Sequence, residues 1–125
     1  MAKILVIDDD QQILDLISMD LTMDGHEITI AQSGKEGVAI FERERFDLIM
    51  TDIVMPNGHG IYVITYIREK APHLPIIAMS GGRRRVIDTQ FNLEAAATMG
   101  FTKTLEKPFT AVQLRSVIQK ILNGL

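Results

Sequence analysis

KILVIDDD, residues 3–10, decides the fold. Ile4, Leu5, Val6 and Ile7 form an unbroken apolar run of strand length. A strand that is apolar at every position is buried on both faces, which points to a parallel sheet covered by helices on either side. The run ends abruptly in Asp8, Asp9 and Asp10. Three adjacent carboxylates at the end of a buried strand repel one another, so the pattern calls for a cation.

Working outward, short apolar runs alternate with helical patterns. Ile13, Leu14, Leu16, Ile17, Leu21 and Met23 make a broad stripe over a helix from Gln11 to Met23, and Gly25 stops it. His26–Ala31 alternates and is β-branched, so it reads as a strand near an edge. Ser33 can cap the next helix, whose Val38, Ala39 and Phe41 are expected to face inward. Phe46–Asp52 is a second core strand. Pro56, Gly58 and Gly60 mark Met55–Gly60 as a loop. A helix with Ile61, Ile64 and Ile67 inward ends before Pro72, and Leu74–Ser80 is a third core strand. Gly81 to Arg85 is a basic loop, and Val86 to Met99 a helix stopped by Gly100. Phe101–Glu106 is the last strand, Lys107-Pro108-Phe109 a turn, and Thr110 caps a final helix to about Leu122. Phe109 is expected to pack rather than to act.

Five strands alternating with five helices specify an α/β fold, a doubly wound parallel sheet with helices on both faces. The whole chain, 1–125, fits one domain. With no cysteine, disulfides and thiolate metal sites are excluded. A net charge of −3 gives no pull towards nucleic acid. No window has membrane-spanning length, and the N-terminal apolar run is too short for a signal-peptide core, so a soluble cytoplasmic protein is expected.

In an open parallel sheet, ligands bind beyond the carboxyl ends of the strands. Asp8, Asp9 and Asp10 end the first strand, Asp52 the third and Ser80 the fourth, while Lys107 follows the fifth. One rim therefore gathers carboxylates, a hydroxyl and an ammonium. Clustered carboxylates suit a hard divalent cation, and Mg2+ prefers one or two of them with waters and phosphate oxygens. Lysine binds phosphate as a point charge, serine can hydrogen-bond a phosphoryl oxygen, and one carboxylate can act as nucleophile to give an acyl phosphate. Asp10 is assigned to capping the first helix.

The combination of VIDDD, DLIMTDIVMPNGHG, IIAMSG and KPF, in that order and across essentially the whole chain, resembles the response-regulator receiver domains of two-component signalling. The resemblance implies a flavodoxin-like (βα)5 sheet of order 2-1-3-4-5. It makes Asp52 the phosphoacceptor, Ser80 the switch hydroxyl and Lys107 its partner lysine, with a cis peptide before Pro108. Asp9, Asp52 and the main-chain carbonyl of Val54 would ligate Mg2+, or Mn2+ in its place, and Asp8 would act through coordinated water. A sensor histidine kinase or a histidine phosphotransfer protein would be the donor. The output partner or effector domain is unspecified, with no direct contact to nucleic acid or membrane.

The sequence departs from the family pattern in places. Gly58-His59-Gly60 stands where Met-Asp-Gly is usual, extra length after Ser80 carries Arg83-Arg84-Arg85, and Thr104 replaces an aromatic switch residue. Val54 and Gly82, at positions that tune hydrolysis in the family, cannot orient an attacking water, so slow self-dephosphorylation is expected. The alternative is a haloacid-dehalogenase-like Mg2+ phosphatase that uses Asp8, although Gln12 stands where that motif wants Thr or Val. A flavodoxin-like FMN carrier fits poorly, because the acidic first loop would repel the cofactor phosphate. A docking module that never takes phosphate leaves the acid–hydroxyl–lysine set without a purpose.

Overall fold

The computed structural model describes residues 1–53, 59–81 and 102–124. Along the chain these form β1 (Lys3–Ile7), α1 (Gln11–Met23), β2 (Glu27–Ala31), α2 (Gly34–Arg43), β3 (Leu48–Asp52), α3 (His59–Lys70), β4 (Ile76–Gly81), β5 (Lys103–Lys107) and α4 (Ala111–Leu122). The strands make one parallel sheet in the order β2-β1-β3-β4-β5, as the resemblance implies. β2 lies at an edge, as its alternating pattern predicts. The helix expected over 86–99 and the basic run Arg83–Arg85 lie outside the described residues.

Side chains on a strand alternate between faces, and β1 feeds both. Ile4 and Val6 join Leu14, Ile17 and Leu21 of α1 and Leu114, Ile118 and Ile121 of α4. Leu5 and Ile7 point the other way, to Val38 and Ile40 of α2 and Val63, Ile64 and Ile67 of α3. The sheet is thus covered on both sides, which is why the run from Ile4 to Ile7 has no polar position to spare. Phe109 packs against the α1–α4 side, as expected.

Caps set the helix starts. The side chain of Asp10 accepts from the Gln12 N–H at 3.0 Å, so this third aspartate is spent on starting α1. Ser33 caps α2, and Thr110 with Gln113 forms a capping box on α4. Gly25, at φ +90°, takes the left-handed turn after α1. Basic residues stand in the last turns of three helices: Arg43 in α2, Arg68 and Lys70 in α3, and Lys120 in α4.

The structure corrects several sequence expectations. In α1, Leu16 and Met23 are exposed, with Met19 between them. At about 100° per residue, they lie on the far side of the helix from Leu14, Ile17 and Leu21. In α2, Ile40 is buried and Ala39 exposed, because the inward arc runs through Gly37, Val38 and Ile40. In α3, Val63 is buried and Ile61 only partly so. That helix begins at His59, inside the stretch expected to be loop. β3 and β4 start two residues later than expected, and β5 runs from Lys103 to Lys107, taking in the lysine assigned to the turn.

Candidate functional site

The sheet register assembles the site. Ile7 pairs with Thr51, so the residues after them, Asp8 and Asp52, emerge side by side. Asp52 pairs with Met79, which sets Ser80 one step beyond it. Gly81 pairs with Lys107, which closes the row from the far side. Parallel strands end at a common rim, so four separate stretches of sequence deliver their polar residues to one place.

At that rim, carboxylate oxygens of Asp8, Asp9 and Asp52 lie within 4.8 Å of one another. Asp8 is fully buried, Asp52 is 6% exposed, and Asp9 faces solvent. The ammonium of Lys107 donates to Asp8 Oδ2 at 2.7 Å and to Asp52 Oδ2 at 3.3 Å. The other oxygen of Asp8 accepts from the Asp10 N–H at 2.9 Å. The hydroxyl of Thr51 donates to the Asp52 carbonyl at 3.2 Å, and the Ile53 N–H to the Met79 carbonyl at 2.9 Å, which fix the backbone under the carboxylate. The peptide between Lys107 and Pro108 is cis.

Ser80 has no solvent exposure, and its hydroxyl has no hydrogen-bond partner among the described residues. A buried hydroxyl costs free energy unless it is paired. Burial pushes the Asp8 carboxyl above its ordinary pKa, and the hydrogen bond and charge of Lys107 act against the rise. Burial acts to lower Lys107, but the charges of Asp52 and Asp8 outweigh it and hold the ammonium above its ordinary value. Among the described residues, with all groups ionised, one lysine stands against the three carboxylates, a net negative balance. An all-oxygen, carboxylate-rich set of this kind fits a hard divalent cation such as Mg2+.

A family profile described as the response regulator receiver domain matches residues 4–119. The chain belongs to the receiver-domain family. The receiver is 30% identical over 121 residues to the response regulator protein FleR of Pseudomonas aeruginosa, covering 95% of this chain and 24% of that one. It is 34% identical to a 14.6 kDa protein from the sodA1 3′ region of Leptolyngbya boryana, covering 94% of this chain and 87% of the other. Most of the receiver's curated relatives are longer, and it spans about half the length of PhoP of Bacillus subtilis and AfsQ1 of Streptomyces coelicolor. Among solved structures, the CheY-like receiver from Methanospirillum hungatei superposes with a TM-score of 0.88 at 28% identity, covering 98% of this chain and 94% of that one.

The chain is therefore a receiver domain of the two-component type, a signalling module rather than a classic enzyme, and membership implies a histidine kinase partner. Its cluster of Asp8, Asp9 and Asp52 is consistent with the metal and phosphoacceptor site of receivers. No helix among the described residues is long and apolar enough to cross a membrane.

The structure brings together Asp8, Asp9, Asp52 and Lys107, with Ser80 next in register. Val54 and Gly82 lie outside the described residues. Two features were not foreseen from sequence. Asp8 binds Lys107 directly, a contact across 99 positions with no local signal. Gly60, read as loop punctuation, is buried in the first turn of α3 against the backbone of Asp52 and Ile53.

Proposed function

We propose that this receiver takes a phosphoryl group onto Asp52 from the phosphohistidine of a sensor kinase or phosphotransfer protein. The contact of Lys107 with Asp52, inside the three-carboxylate cluster, is the observation that carries this reading. An Asp52 carboxylate oxygen attacks phosphorus, the phosphorus–nitrogen bond breaks, and the electron pair leaves with the imidazole, which is then protonated from water. Asp8, Asp9, Asp52 and the Val54 carbonyl are the residues that would hold Mg2+ or Mn2+. The bound ion supplies neutralisation of charge on the transferring group.

Lys107 supplies a second positive charge. Its ammonium already touches Asp52 and can pass to a phosphoryl oxygen without crossing the rim. The Ser80 hydroxyl, without a partner among the described residues, gains an acceptor in the acyl phosphate. Phosphorylation adds about −1.5 to −2 charge with strong acceptor oxygens, enough to draw both groups towards it. Ser80 pairs in register with Glu106 of β5, so its movement is passed to the β5–α4 surface. That surface holds a cavity of about 450 Å³ beside Thr104, Glu106, Val112 and Val117. Thr104 is exposed there and carries no ring to swing, so output works through this surface without an aromatic relay.

The test is acyl-phosphate trapping. With Mg2+ and acetyl phosphate, the protein should gain one phosphoryl group by intact mass, and Asp52→Asn should gain none. Labelling that survives Asp52→Asn but is abolished by Asp8→Asn would overturn the assignment and favour the phosphatase reading.

A further inference from the structure

We propose that Gly60 is a positioning residue for the phosphoacceptor, its bare Cα allowing α3 to rest on the main chain that carries Asp52. This deepens the reading of Asp52 as acceptor and rests on it.

A Cβ built on Gly60 would stand 2.5 Å from the Asp52 carbonyl oxygen and 2.5 Å from the Ile53 carbonyl carbon, and closer still to the Ile53 oxygen. All three obstacles are backbone. Gly37 makes a useful contrast, because the atoms nearest to a Cβ there all belong to the side chain of Ile7, whose tip can change rotamer. A methyl group on residue 60 must therefore move one of two main chains. α3 is held by Val63, Ile64 and Ile67, all fully buried. β3 is at its last paired residue, because the ladder to β4 ends at Asp52 and Met79. Whichever main chain yields, the seat of α3 on the Asp52 and Ile53 backbone changes.

The consequence falls on the site. Asp52 holds its carboxylate 3.3 Å from Lys107, so a shift of its backbone changes that aim. Restoring an ordinary contact of 3.4 Å from 2.5 Å requires a displacement of just under 1 Å, and the closer Ile53 oxygen requires more. A misplacement of about that size is enough to slow a positioned reaction by about 100-fold.

The experiment compares the parent, Gly60→Ala and Gly37→Ala by thermal unfolding, calorimetric titration with Mg2+ alone, and phosphorylation by acetyl phosphate. The expected result is a folded Gly60→Ala protein with Mg2+ affinity weakened about tenfold or more and phosphorylation slowed about 100-fold. Gly37→Ala should lose stability but keep both within about twofold. A folded Gly60→Ala protein that matches the parent in Mg2+ affinity and rate overturns the positioning role and leaves the acceptor assignment intact. A parent that takes no phosphoryl group overturns both. If Gly60→Ala does not fold, the parent is followed by amide NMR during Mg2+ titration. The Gly60 resonance should then shift with the same midpoint as those of Asp52 and Ile53, and an unmoved Gly60 resonance overturns the proposal.

Discussion

Replacing Lys107 by Met tests the electrostatics of the rim most directly. Lys107→Met keeps an unbranched apolar stem and removes the ammonium that bridges Asp8 and Asp52 at 2.7 and 3.3 Å. The side chains of all three are at most 9% exposed, so water cannot replace the lost charge. Breaking a buried pair by removing one partner costs about 3–5 kcal/mol. Asp8 can limit the cost by taking up a proton, which favours the lower end, about 3 kcal/mol. For a chain of this size that lowers Tm by about 10 °C in the absence of metal. Added Mg2+ supplies the missing charge, so the metal-induced rise in Tm should be larger in the variant than in the parent.

Acid should also narrow the gap. The pKa of Asp8 is raised in the folded protein above its ordinary 3.8, so the folded state holds a proton that the unfolded state has already lost. Stability therefore falls as pH rises from the ordinary value through the folded one. Removing Lys107 takes away the group that restrains that rise, and the window extends upward. Thermal unfolding of both proteins between about pH 4 and pH 8, with and without Mg2+, measures all of this. A metal-free Lys107→Met protein within about 1 kcal/mol of the parent at neutral pH, or one that gains no more from Mg2+, refutes the reasoning.

Ser80→Ala removes a buried hydroxyl that has no partner among the described residues, so chemical denaturation should find stability unchanged within about 0.5 kcal/mol or slightly increased. The same variant should still be phosphorylated but show much smaller NMR shifts across β5 and α4 when it is. Asp10→Ala should cost about 1 kcal/mol through the lost cap and leave Mg2+ affinity unchanged by calorimetry, whereas Asp9→Asn should do the reverse. Self-dephosphorylation should take hours, because Val54 and Gly82 carry no polar group to orient water; loss of a radiolabelled phosphoryl group within seconds would contradict this.

Strand identity was legible because strands buried on both faces must be apolar along their buried run, as in Ile4–Ile7 and Leu48–Met50. The rim was legible because the parallel rule carries Asp8, Asp52 and Lys107 to one end without any contact being known. The exposed Leu16, Met19 and Met23 were not, since an apolar residue looks alike on either side of a helix. Nor was the start of α3, where a glycine suggests a turn by its flexibility while in fact serving by its lack of a side chain. Both errors arise from tertiary packing, which local pattern does not encode.

The caps and last-turn bases have a consequence for encounter. The strands' carboxyl ends and the helix starts share one end of the molecule, so the acids of the rim sit among the positive poles of helix dipoles. Arg43, Arg68, Lys70 and Lys120 gather at the opposite, negative poles. Among the described residues, the rim gathers Asp8, Asp9 and Asp52 around Lys107, an acidic patch that the net charge of −3 does not by itself locate. A donor with a basic surface around its phosphohistidine would be turned towards the rim before contact, and the association rate should fall with added salt.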